Sequence, residues 1–275
     1  MRALIGVDIG GTGIKAGIVD SRRGVLVGDR VRVPTPQPAD TASVVAATAE
    51  LVAGLGADAG PVGIGLPAVI KTGHVEMAAN LDQSWIGAEA ADLFSGAIGR
   101  PCVILNDADA AGVAEMRYGA GKGVKGTVLV LTLGTGIGSA LFVDGILVPN
   151  LEFGHIEIRG KDAERRASAG ARERRGLSWK DWAPLLDEYL DTIERLVWPD
   201  LIILGGGISK KPEKFVPYLT TRAPIVTATL QNEAGIVGAG VRARELTTPA
   251  RPPRPRATTA TTSPARSRSR AGSAR

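Results

Sequence analysis

The chain has 275 residues, 44% hydrophobic and 4% aromatic, enough for one large or two small domains around an aliphatic core. Cys102 is the only cysteine and His74 and His155 the only histidines, which excludes an intrachain disulfide and makes a zinc site unexpected. The formal charge of +5 comes from the last 29 residues, whose seven Arg face no Asp or Glu; the mildly acidic remainder, without a signal peptide or a membrane-length apolar run, points to a cytoplasmic protein with no membrane or nucleic-acid partner.

The opening reads as two apolar strands, Leu4 to Asp8 and Ile14 to Asp20, joined by a glycine turn. Gly10 and Gly11 let backbone N–H groups approach an anion, and Thr12 adds a hydroxyl. Asp8 repels phosphate, so its place there makes sense if a cation such as Mg²⁺, bound through water, lies between them. The plainer alternative is a hairpin whose glycines serve geometry alone. A third strand runs from Gly24 to Val33, and Pro34, Pro36 and Pro38 end it. A helix is expected over Asp40 to Leu55, then a short buried strand from Val62, giving a mixed sheet in an α/β layer.

Lys71 to Trp85 reads as irregular and includes Asn80; a helix over Gly87 to Gly99 follows. The strand from Pro101 to Leu105 runs into Asn106 and Asp107, and a helix follows to Tyr118. The carboxyl end of a strand is where α/β proteins place ligand-facing groups, although Asp is also a common helix cap. A second strand, glycine turn and strand follows: Thr127 to Leu131, then Gly134, Thr135, Gly136 and Gly138, then Ile137 to Val143. Lys161 to Arg175 reads as a charged helix, and a long amphipathic helix covers residues 182–197, starting near Asp181 because Pro184 suits a first turn. Asp200 to Leu204 is a strand entering Gly205, Gly206 and Gly207, and the last helix spans Glu233 to Leu246. Beyond it the Thr-, Pro-, Ser- and Arg-rich tail is expected to be disordered.

The strand–turn–strand units recur once in each half, so two related lobes with a cleft between them are expected. Paired glycine turns with carboxylates on either side suit phosphoryl transfer, in which positioning and charge neutralisation do most of the work. Thr12, Lys15, Thr135 and the turn glycines, including Gly206, would hold phosphate; Asp107 would act as general base. Asn80, Asn106, Glu152, His155 and Glu164 are groups suited to sugar hydroxyls. Local alternatives remain: a core histidine at 155, a solvated helix face at Glu164, a tight strand–helix joint at Gly205 to Gly207, and solvated charge at Lys15, Lys122, Lys125, Lys210 and Lys211.

With those residues assembled, the chain resembles the ROK family of sugar kinases and sugar-binding repressors, within the actin-like ATPase superfamily. The likeness spans about residues 3 to 244. It rests on Asp8 to Thr12, Leu105 to Ala108, Leu133 to Gly138 and Glu152 to His155. The strings Leu147 to His155, Trp198 to Leu201 and Leu230 to Gly238 are similar to the polyphosphate-using glucokinases of actinobacteria. The resemblance implies a two-lobed ribonuclease-H-like fold, with lobes over residues 1–106 and 107–246, the final helix returning to the first. It implies glucose as acceptor, polyphosphate as donor with ATP as a second donor, and a homodimer, for which the 182–197 helix is a candidate surface. Asp107 matches the family base; Asn106, Glu152, His155 and Glu164 match its sugar ligands. The family's zinc cluster, a His with three Cys, has no counterpart, so His155 would bind sugar without a metal. An N-terminal helix-turn-helix, as in the repressors, has no room before a first strand at Ala3. An ATP-only glucokinase and a non-catalytic sugar sensor are the competing readings.

Overall fold

The computed structural model describes residues 4–56, 60–78 and 81–247. Asn80 and the expected disordered tail from residue 248 lie outside them. Two five-stranded sheets share one topology. In the first, β1 (Leu4–Gly10), β2 (Gly13–Asp20) and β3 (Val25–Val33) form an antiparallel meander. Helix α1 (Thr41–Ala53) then leads to β4 (Val62–Leu66), which pairs parallel with β1. Asp40 caps α1 by accepting the Ser43 N–H at 2.9 Å. The stretch expected to be irregular folds into a small hairpin, β5 (Val69–Lys71) and β6 (His74–Met77). Its strands are too short for alternation to be read from sequence, and Gly73 at φ 91° makes the turn. Helix α2 (Ala90–Ile98) ends at Gly99 in the left-handed conformation and feeds β7 (Cys102–Asn106), parallel to β4.

Helix α3 (Asp107–Tyr118) crosses to the second sheet, where β8 (Thr127–Leu133), β9 (Ile137–Val143) and β10 (Ile146–Val148) repeat the meander. The expected single helix over Lys161 to Arg175 is instead broken. A two-residue pair, β11 (Glu157–Ile158) and β12 (Lys161–Asp162), precedes α4 (Glu164–Ala167) and α5 (Ala169–Arg174). Ser168 divides the two helices: it takes extended backbone (ψ 158°) and its hydroxyl accepts the Ala171 N–H. Helix α6 (Trp179–Val197) begins two residues earlier than Pro184 predicts, because Ser178 caps it through the Asp181 N–H and Pro184 is tolerated inside. Its apolar stripe of Trp182, Leu186, Tyr189, Leu190 and Ile193 is fully buried against the second sheet, leaving Leu196 and Trp198 exposed at its end. Strands β13 (Leu201–Gly205) and β14 (Ile225–Thr227) complete that sheet in parallel. The last helix, α7 (Ala234–Ala243), packs on β1, β4 and α3.

Helix α7 approaches by bare backbone. A Cβ on Gly6 would strike the Ile236 carbonyl, one on Gly63 the Ala239 carbonyl, and one on Gly238 the Ala110 carbonyl. Glycine in the interior of a buried strand costs stability unless another backbone must pass there, which is the case for Gly63. Gly63→Ala is therefore expected to lower the thermal midpoint by at least about 5 °C, the scale of an overpacked core. An unchanged melting curve would contradict the packing described.

Candidate active site

One cleft of about 440 Å³ receives both glycine turns. From the first come Asp8, Gly10, Gly11, Thr12 and Lys15. The second contributes Gly134, Thr135, Gly136 and Gly138. Asn106, Asp107, Glu152, His155, Glu164 and Gly206 complete the residues expected from sequence. Of the expected site residues only Asn80 is not placed, lying outside the described residues.

The first turn is held from outside. Arg32 reaches from β3 to donate to the Thr12 carbonyl at 3.0 Å, and buried Thr35 donates to the Gly10 carbonyl at 2.6 Å. Both lie well away in sequence, and nothing in a Gly-Gly-Thr string names them. Asp8 and Lys15 face each other across the β1–β2 ladder and form a 2.8 Å ion pair, so Lys15 is not a freely solvated charge. The second turn closes on itself through Gly134 N–H to the Gly136 carbonyl at 3.0 Å, and Ser168 donates to the Thr135 carbonyl. Gly138 is required by crowding, since a Cβ there would meet Thr132 and Ala108; at Gly136 a Cβ would displace the Glu164 carboxylate.

Asn106, not Asp107, caps α3. Its Oδ1 accepts the Ala108 and Asp109 N–H groups at 2.9 and 3.1 Å. Its Nδ2 donates to the Ala68 carbonyl and to Glu152 Oε1, both at 3.1 Å, so all four of its hydrogen-bonding positions are engaged within the protein. Asp107 is thereby released from capping duty; it accepts only the adjacent Ala108 N–H and lies on the cleft wall. Burial, and then the charge of Asp8, push its carboxyl up to about 7. Burial also raises Glu152, opposed by His155. His155 sits between two carboxylates, 3.4 Å from Asp162 and 4.0 Å from Glu152, rather than in the core. Glu164 accepts the Ile137 N–H at 3.1 Å and faces the second turn instead of solvent.

Several lining groups had no sequence signal as site residues: Thr132, Gln231, Asn232 and Gly235. Asn150 is another. At φ 60°, its side chain pairs with both backbone groups of Ile70 on β5, while its own N–H binds buried Asp109. It clasps the β5–β6 hairpin to the loop that carries Glu152.

A magnesium ion takes one or two carboxylates and completes its shell with water and phosphate oxygens. Asp8 offers one such carboxylate beside the cleft, and Lys15 leaves its other oxygen available. Among the described residues no three His, Cys, Asp or Glu side chains gather into a protein-only cage. A single available carboxylate at Asp8 fits an ion that completes its shell with water and phosphate oxygens.

The ROK family model matches residues 4–173, and the chain belongs to the ROK family. Its fold is the two-lobed actin-like ATPase fold of ROK sugar kinases. The chain is 52% identical over 237 residues to a polyphosphate glucokinase of Mycobacterium tuberculosis, covering 86% of this chain and 89% of that one. The crystal structure of an inorganic polyphosphate/ATP-glucomannokinase from Arthrobacter sp. strain KM matches with a TM-score of 0.87 and 55% identity, over 90% of this chain and all of that one. A ROK glucokinase from Streptomyces griseus, solved with glucose and AMPPNP, matches with a TM-score of 0.76 and 28% identity over 88% of this chain and 99% of that one.

A carboxyl raised on folding binds its proton more tightly in the folded state. Its stabilising contribution is present below the ordinary carboxylate range and is lost as pH rises toward about 7. Asp107→Asn, neutral at every pH, is therefore expected to melt above the parent protein at pH 8, the gap closing toward about pH 4. A lower midpoint than the parent at pH 8 would contradict the strained carboxylate.

Proposed function

We propose that the protein is a polyphosphate-dependent glucokinase that moves the terminal phosphoryl of inorganic polyphosphate, with ATP as a second donor, to the 6-hydroxyl of glucose. The observation that carries this reading is the shared cleft: a carboxyl poised near neutrality lies on the wall between two glycine turns. The named relatives support the donor and the acceptor.

In this reading Glu152, His155 and Glu164 receive the sugar hydroxyls, and Asn106 holds Glu152 in place through its 3.1 Å bond. Asp107 accepts the proton of the 6-hydroxyl as that oxygen bonds to the terminal phosphorus. The bond from that phosphorus to its bridging oxygen breaks, and the shortened polyphosphate leaves with the electron pair. The glycine turns present N–H groups to the equatorial oxygens, supported by Thr12, Thr135 and Lys15. Mg²⁺, held by Asp8 through water, would neutralise phosphate charge when bound. Residues 1–106 with α7 would form one lobe and 107–233 the other, closing on substrates as a homodimer of such subunits. A single buried cysteine suits the reducing cytoplasm.

Two measurements test the reading. Given polyphosphate and ATP at matched phosphoryl concentration, the protein is expected to form glucose 6-phosphate from polyphosphate at least as efficiently as from ATP. Turnover with ATP alone would overturn the donor assignment, and glucose binding without product would overturn catalysis. Asp107→Asn is expected to lose at least about a hundredfold in kcat with a smaller change in the KM for glucose. Near-parental turnover would remove Asp107 from the role of base.

A further inference from the structure

A second groove, of about 560 Å³, opens beside the catalytic cleft, and the two share Gln231 and Asn232 as a common lip. Its other walls include Arg23, Arg30, Tyr118 and Leu230. Building on the polyphosphate reading, we infer that this groove carries the distal phosphates of a long polyphosphate chain, with Arg23 and Arg30 as their counter-charges. The trough would run from Asp107 over the Gln231–Asn232 lip to the two arginines.

A linear polyanion longer than the catalytic cleft must leave it while its terminal phosphorus stays at Asp107. The lip is a shared boundary, so a chain crossing it enters the second groove without passing through protein. Asn232 offers amide donors and Gln231 is exposed on the crest. Gln231 is held at φ 47°, a costly conformation for a side-chain-bearing residue, which the surroundings enforce. Buried Glu115 supplies part of that enforcement. It accepts the N–H groups of Thr229 and Leu230 at 3.0 and 2.7 Å, and that of Ala120 at 2.9 Å.

Arg23 and Arg30 are exposed, and among the described residues neither side chain has a carboxylate partner. Arg117 stacks over the Tyr118 ring at 5.5 Å, and the charge of Arg244 also acts on Tyr118. Against these stand Glu233, which lines the groove, and Asp20, one of whose oxygens is already engaged by the backbone N–H groups of Arg22 and Arg23. The balance is cationic in a chain whose first 246 residues are mildly acidic. The floor is also firm. Tyr118 donates its hydroxyl to the Ser21 carbonyl at 2.5 Å, and Gly24, at φ 71°, lies against the ring where a Cβ would collide. A preformed cationic trough suits a repeating polyanion, whose every unit offers the same oxygens. A nucleotide presents only three phosphates before its sugar and base.

The test compares kcat/KM for tripolyphosphate, for long-chain polyphosphate and for ATP in the full-length protein. In R23Q/R30Q the ratio of long-chain to tripolyphosphate efficiency is expected to fall roughly tenfold, the scale of two exposed charge contacts. R23K/R30K keeps the charge and is expected to hold the parental ratio. Raising salt is expected to weaken the parent's use of long chains more than its use of tripolyphosphate. An unchanged ratio in R23Q/R30Q, with the parent using both lengths, overturns this inference alone. So does a loss on ATP equal to the loss on long chains, which would give the groove to the nucleotide. If truncation after Thr247 abolishes the length effect and R23Q/R30Q does not, the tail carries the chain and the groove does not. A parent protein that uses ATP but no polyphosphate of either length overturns the underlying reading instead.

Discussion

The close passage of helix α7 over β1, β4 and α3 is the constraint from which the site follows. Three glycines at the crossing leave no room for side chains, so backbones meet directly. That contact fixes more than packing. Helix α7 begins beside Asp8: a Cβ on Gly235 would lie 2.8 Å from the Asp8 carboxyl carbon. Helix α3 begins at Asp107, and Gly65 of β4 leaves space at 3.4 Å from the Asp107 Cα. The two carboxylates, one on β1 and the other at the start of α3, are therefore set by one rigid junction, close enough for the charge of Asp8 to add to burial in raising Asp107. Backbone-to-backbone packing cannot relax by rotamer changes, which makes it a suitable base for groups that must hold position within a fraction of an ångström.

The electrostatics of the cleft are unfavourable without ligands. Asp8, Asp107, Glu152 and Glu164 all line it, against Lys15 and His155. Burial and like charge together raise Asp107 to about 7, the range in which a carboxylate is a competent base without being permanently charged. Phosphate would add negative charge to the same space. The cleft is accordingly suited to a donor that arrives with its own cation, and the N–H groups of the glycine turns supply partial charge with no desolvation of a side chain. In the proposed function, stability and activity conflict at Asp107.

Most of the cleft lining was legible from sequence, because its parts are local strings. Each glycine turn carries its own signature between two apolar strands, and Asn106-Asp107 falls at a strand end. The duplication of strand–turn–strand units corresponds to two sheets of identical order. What stayed hidden depends on tertiary neighbours. Capping by Asn106 rather than Asp107 is decided by which side chain turns toward the helix N-terminus, and both residue types are good caps. Arg32 and Thr35 serve the first turn from across the β2–β3 ladder, and Asp162 serves His155 from β12. The Ser168 break inside a charged run and the β5–β6 hairpin came from short elements whose periodicity is too brief to read. Gln231 and Asn232 sat within a family-like string, yet only the fold shows that they form a lip between two grooves.

The central claim of the proposed function is that a carboxyl at position 107, raised by burial and then by the charge of Asp8, is the group whose ionisation switches phosphoryl transfer on. It is tested most directly by following the Asp107 carboxyl carbon through a pH titration by NMR, in the parent and in Asp8→Asn. The account predicts a midpoint near 7 in the parent, coincident with the acid limb of the kcat/KM profile for glucose, and a lower midpoint once Asp8 is neutralised. A titration in the ordinary carboxylate range near 4 in both proteins would contradict it.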